Sequence, residues 1–84
     1  MSRIDIGKDF SPTPSGRYVV DGPFSGEAFR EKHLKKAVLK DDLEISVILD
    51  TAIGLGSSFL EEAFGGLVRN KYISSEELLR RLNL

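Results

Sequence analysis

Residues 44–50, EISVILD, are β-branched and nearly continuously apolar, and they stand between two stretches of helical periodicity. A strand of that composition belongs at the centre of a sheet with both faces covered. Its place between two helices implies parallel crossover connections. The chain has 84 residues, enough for one modest core. The expectation is therefore α/β: a single domain over 1–84, with three or four strands packed by two or three helices.

The flanking segments fill in the outline. Ile4 and Ile6 alternate with polar residues as a short strand does, and the turn chemistry of SPTPSG, 11–16, ends it. RYVV, 17–20, then reads as a second strand paired with the first, which makes the sheet mixed. DGP at 21–23 is a further turn. Ser25 is placed to cap a helix over 25–39 with Phe29, His33, Leu34, Ala37 and Val38 on one stripe and Lys32, Lys35 and Lys36 facing water. KDDL, 40–43, closes that helix. In a helix over 58–69, Phe59, Leu60, Ala63, Phe64, Leu67 and Val68 give the clearest 3.6-residue period in the chain. Gly65 and Gly66 inside it point to the close approach of another backbone or to an early end. In the last helix, 75–82, Ser74 and Glu77 have capping-box spacing, and Ile73 and Leu78 that of a hydrophobic staple. Phe59, Leu60, Phe64, Leu67, Ile45, Val47 and Leu49 are expected to share one core.

Composition restricts the chemistry. The chain has 12 Lys plus Arg against 13 Asp plus Glu, and the net charge of −1 offers no global attraction to nucleic acid or to an anionic membrane. It has no cysteine, so disulfides, thiolate catalysis and cysteine metal sites are absent. No stretch approaches the length of a membrane span, and MSRIDIGKDF lacks the apolar centre of a signal peptide, which makes the cytoplasm the default location. His33 is the only histidine, too little for a metal centre and expected at the edge of the core. Glu61 and Glu62 are adjacent rather than four apart, so they are not expected to project together as an acid–base pair. Neither serine of GLGSS has a catalytic elbow around it, and the stretch lacks the lysine of a phosphate-binding loop. The sequence predicts no catalytic residue and no cofactor. Arg30, Lys32, Lys35, Lys36 and Lys40 form a charged run, either a solvated face or a surface for an acidic partner. Arg17 or Arg30 is expected to pair with Asp21, Glu27, Glu61 or Glu62.

Ser57 and Ser58 remain. With Ser58 as cap, Glu61 falls at the third helical position and completes a capping box, so Ser58 is given to stability. Ser57 is left just outside the helix, after the carboxyl end of the central strand, where open α/β sheets place their sites.

KDFSPTPSGRYVVDGPFSGEAFRE and GLGSSFLEEAFGGLVR together resemble the STAS-like family of unknown function, from residue 4 to around residue 70. The resemblance rests on Asp9-Phe10-Ser11, Gly16-Arg17, Asp21-Gly22, Ser25-Gly26-Glu27, Phe29-Arg30 and the run from Ser57 to Leu67. It implies a small bacterial or phage domain similar to anti-sigma-factor antagonists, whose relatives lie beside histidine-kinase-like ATPases. In those antagonists Asp-Ser-Ser-Gly opens a helix and the first serine is phosphorylated. The same order here puts Ser57 on that serine and Gly56 where the aspartate falls. The chain also stops early relative to a full STAS domain, which implies a shortened or missing terminal element. The resemblance thus implies a regulatory module docking a protein partner, such as a histidine-kinase-like ATPase, through Leu55, Gly56, Ser57, Ser58, Glu61 and Glu62, with Arg17, Glu27 and Arg30 as a second surface. The alternative is a phage or mobile-element inhibitor that blocks a host complex with the same scaffold and no phosphorylation.

Overall fold

The computed structural model describes residues 2–40 and 44–84. Strands β1 (Ser2–Asp5), β2 (Ile45–Ile48) and β3 (Leu82–Asn83) lie in the order β1-β2-β3. Ile4 stands opposite Val47, and Ile45 opposite Leu82. β2 is central, as its composition predicts. Every described pairing is parallel, which corrects the expected mixed sheet.

The reason lies in RYVV, which is not a strand: Val19–Asp21 form a 3-10 turn, with Val19 and Val20 exposed. The start of the following helix takes up this segment's hydrogen-bonding groups. Gly26 N–H donates to the Gly16 carbonyl, Glu27 N–H to that of Arg17, and Val19 N–H to the Glu27 carboxylate. A backbone committed in that way has little left for a ladder.

Helix α1 spans 26–39, α-helical at both ends (Gly26–Phe29 and Lys35–Leu39) with a wider π turn at Arg30–Leu34 between them. Helix α2 spans 57–69 in the same pattern, its π turn at Glu61–Gly65. Helix α3 is Ser75–Arg81, and a single π turn, Ile6–Phe10, follows β1. Two crossovers of one hand that step in one direction across a sheet place their helices on the same face. Ile4, Ile6, Ile45 and Val47 from the sheet side meet Phe29, Leu34, Phe59, Ala63 and Leu67 from the helices in one buried cluster. Leu49, Leu60 and Phe64 pack against it half-buried. The opposite sheet face is open. Ser46 and Ile48 are only half-buried, and a hollow of about 430 Å³ lies over them beside Arg3 and Asn83, so the expectation of a centre strand covered on both faces holds for one face only.

The contact between α1 and α2 explains two glycines. A Cβ on Gly26 would strike the Phe59 carbonyl oxygen, and one on Gly66 the Arg30 guanidinium. For Gly66 the close neighbour is thus a side chain rather than a backbone, and α2 continues to Arg69 instead of ending early. The buried face of α2 is Phe59, Glu62, Ala63, Gly66 and Leu67, rotated from the purely apolar stripe so that a glutamate points inward.

Ser74 caps α3 by accepting the Glu77 N–H at 3.2 Å, while the Glu77 carboxylate pairs with Arg80 and Arg81. Ile73 and Leu78 are both buried. The helix stops at Arg81 because Leu82 turns extended and enters β3. Arg81, itself buried, donates to the carbonyls of Val38 and Lys40 at 3.2 and 2.8 Å and so closes the carboxyl end of α1. α1 ends at Leu39, with Lys40 extended. The rest of KDDL, residues 41–43, lies outside the described residues.

Candidate functional site

The carboxyl ends of β1 and β2 are tied together before the loop of interest begins. The Thr51 hydroxyl donates to the Asp5 carboxylate and accepts the Gly7 N–H at 2.9 Å. That hydroxyl holds the Asp5 carboxyl below the usual carboxylate range. Ile53 N–H then donates to the Pro12 carbonyl at 2.7 Å, which fixes the loop on the chain following β1. Beyond that point Ile53, Gly54, Gly56, Ser57 and Ser58 are exposed and Leu55 is half-buried.

The start of α2 differs from the expectation. Gly56 is the N-cap: it is extended, with φ −91° and ψ 158°, and its carbonyl accepts the Leu60 N–H at 3.1 Å. Ser57 is therefore the first helical residue rather than a loop residue, and Ser58 the second. Glu61 falls at the fifth position, too far along for a capping box. Among the described residues neither serine hydroxyl makes a hydrogen bond, so the cap assigned to Ser58 is corrected.

Behind this turn lies a charge cluster. Arg17 Nη1 reaches Glu61 at 2.5 Å and Glu62 at 3.3 Å; Arg69 reaches Glu62 at 3.0 Å and also pairs with Glu61. Arg30 Nη1 donates to the Glu62 carboxylate at 2.7 Å and to the Glu62 carbonyl at 2.9 Å. Arg30 Nε donates to Glu31, which also accepts the Tyr72 hydroxyl. Glu61 and Glu62 are thus brought together by two shared arginines, contrary to the expectation from their adjacency. Arg69 and Arg17 hold the Glu61 carboxyl below its ordinary value. At Glu31 burial pushes upward, but hydrogen bonds from Arg30 and Tyr72 win and the net shift is down.

This geometry divides the predicted site residues. Gly56, Ser57 and Ser58 are accessible and Glu61 lies at the rim. Glu62 and Arg30 are buried, with 6% and 5% exposure, and serve the helix crossing. Arg17 joins Glu61, so the two expected surfaces form one cluster. Glu27 stands apart, holding the Val19 N–H at 2.9 Å. Arg69 and Tyr72 were not foreseen; the signal available was that Arg69 follows Glu62 by two helical turns on one face. His33 stacks edge-on to Phe10 at 5.8 Å, and its burial lowers its pKa. Among the described residues no three His, Cys, Asp or Glu side chains are placed to hold a metal, and no helix is long and apolar enough to cross a membrane.

The site thus sits on a three-stranded parallel sheet with its helices packed on one face, where a loop follows the central strand and leads into a helix whose first residues are serines. The chain belongs to the family described as a STAS-like domain of unknown function, whose match covers residues 25–84. Asp9-Phe10-Ser11, Gly16-Arg17 and Asp21-Gly22 lie before the matched stretch, and α3 and β3 lie within it, so the extent of the likeness is shifted toward the carboxyl end. No curated protein and no solved structure matches the chain.

Proposed function

We propose that this chain is a non-enzymatic regulatory domain of the cytoplasm that docks a protein partner through loop 51–56 and the first turn of α2, with Ser57 as a phosphorylated switch. The partner class is a histidine-kinase-like ATPase, by analogy with the antagonists the sequence resembles. The observation that supports the reading is the first turn of α2: two exposed serines whose hydroxyls are bonded to nothing among the described residues, beside Ile53 at 73% exposure. The ion pairs of Glu61 steady this turn from behind. A phosphate on Ser57 would meet free amides and the positive end of the helix dipole, which lowers the electrostatic cost of the modification.

The test has two arms. Phosphosite mapping of protein from its native host should place phosphate on Ser57, and a photo-crosslinking residue at position 53 should capture a partner that one at Glu76 does not. Ser57→Asp should change the affinity for that partner more than Ser57→Ala. Unmodified Ser57 together with unchanged affinity in both variants would overturn the switch.

A further inference from the structure

The charged run of α1 is divided by the fold. Arg30 is buried against Glu62, and Lys35 pairs with Glu31 at 3.8 Å. Lys32, Lys36 and Lys40 remain exposed, and with Arg3, His33 and Ile4 they line a groove of about 540 Å³ between α1 and β1. Among the described residues none of these three lysines, nor Arg3, has an ion-pair partner. Two carboxylates act on residues of this groove: Asp9 on His33 and Asp5 on Arg3. A chain of net charge −1 thus carries a local cationic furrow.

One wall of the furrow is a sheet edge. β1 pairs with β2 alone, and Ser2 N–H donates to the Glu44 carbonyl at 3.1 Å. In a parallel ladder alternate residues face the same neighbour, so Ser2 and Ile4 bond toward β2 and Arg3 turns its N–H and carbonyl outward. Asp5 N–H is held by the Asp9 carboxylate. Arg3 is therefore where this edge can accept a further strand. One residue of an incoming antiparallel strand can exchange both hydrogen bonds with it.

We infer that the furrow between α1 and the edge of β1 is a binding site for an extended acidic peptide of a partner protein, which adds as a fourth strand beside Arg3 and sets alternate carboxylates against Lys32, Lys36 and Lys40. The spacings agree. Side chains on one face of a strand recur every ~6.7 Å, and Lys32 and Lys36, four residues apart on α1, are separated by ~6 Å along its axis, with Lys40 just past the helix end. The same lysines repel a second copy of this cationic edge, so the site discourages self-pairing while admitting an acidic strand. The site lies apart from the serine-opened end of α2, because α1 runs back against the strands and its lysine-bearing half sits toward their amino ends.

The probe is a fluorescein-labelled peptide of about eight residues alternating Glu and Val, titrated against the whole chain by fluorescence anisotropy at low and moderate salt. Binding should weaken about tenfold or more as salt rises from about 50 to about 300 mM, as expected for exposed charges. Lys32→Glu with Lys36→Glu should weaken it at least as much, while circular dichroism shows the fold intact. Ser57→Ala should leave it unchanged, which separates this site from the proposed switch. A peptide of the same charge N-methylated at alternate residues, and so unable to donate to a strand edge, should bind at least about fivefold more weakly. No binding of the Glu-Val peptide, equal binding by the N-methylated peptide, indifference to the lysine reversals, or tighter binding of a short oligothymidylate would each overturn the inference.

Discussion

Helices α1 and α2 both begin near a serine, yet their first turns are built in opposite ways. Ser25 is fully buried and accepts the Ala28 N–H at 3.1 Å. Ser57 and Ser58 are exposed and cap nothing. The first turn of α1 lies against Phe59 and Ala63 of α2, where water cannot reach its unpaired amides and a protein oxygen must. At the start of α2 Ser57 and Ser58 face solvent, although Phe59 of the same turn is buried against α1, and water serves the leading amides without a side chain. Register decides as well: Ser25 and the exposed Ser74 stand at the N-caps of α1 and α3 and both cap, whereas Gly56 holds that place in α2 and leaves the hydroxyls of Ser57 and Ser58 free for other work.

The sharpest way to break this contrast is to open the dry crossing. Glu62→Ala strips the buried Arg30 Nη1 of its carboxylate, leaving Glu31 on Nε alone, and should cost about 3–5 kcal/mol in urea unfolding. Replacing the pair with apolar residues, Arg30→Met with Glu62→Leu, should recover most of that loss. A cost below about 1 kcal/mol for Glu62→Ala would mean that the crossing does not depend on the pair. Next in size is the cap itself: Ser25→Ala should cost about 1–2 kcal/mol by the same measurement.

Acid should act more gently. Asp5, Glu31 and Glu61 have folded pKa values below their unfolded ones. Their contribution is therefore full above the ordinary carboxylate range and is lost as pH falls through the folded values. His33 is also lowered, by burial, so its protonation on acidification below the ordinary imidazole range favours the unfolded chain. Stability should fall in two stages on acidification, and His33→Gln should remove the upper one. Glu61→Gln should flatten part of the lower stage, with salt reducing the difference. Smallest of all, Ser57→Ala and Ser58→Ala should each stay within about ±0.5 kcal/mol. A loss for Ser58→Ala equal to that for Ser25→Ala would erase the distinction between the two helix starts.

Much of this was legible because it is local. The EISVILD strand, the period of α2, the Ser25 and Ser74 caps and the Ile73–Leu78 staple each lie within a few residues of sequence. RYVV misled because its β propensity is real, but its hydrogen-bonding groups are committed to the start of α1, a tertiary fact that no window of the segment contains. The cap of α2 misled by two residues: Gly56 and Ser58 offer competing registers, and nothing nearby decides between them. Pairing of Arg17 and Arg30 with Glu61 and Glu62 followed from charge chemistry, whereas burial of the Arg30–Glu62 pair depends on how α2 rotates against α1. Of the candidate site, the exposed serines and a pairing of Arg17 with a glutamate were legible, and the part Arg69 plays in clamping both glutamates was not.

Arg81 joins the two ends of the fold in a way that shapes its fluctuations. It is the last residue of α3, directly before the two-residue β3, and its guanidinium sits on the final carbonyls of α1. Opening of β3 and the last turn of α3 withdraws that guanidinium and uncovers the end of α1 in the same event. The closing turn of α1 and the last strand therefore form a single opening unit, and their amides should exchange with solvent deuterium at a common rate although more than forty residues separate them.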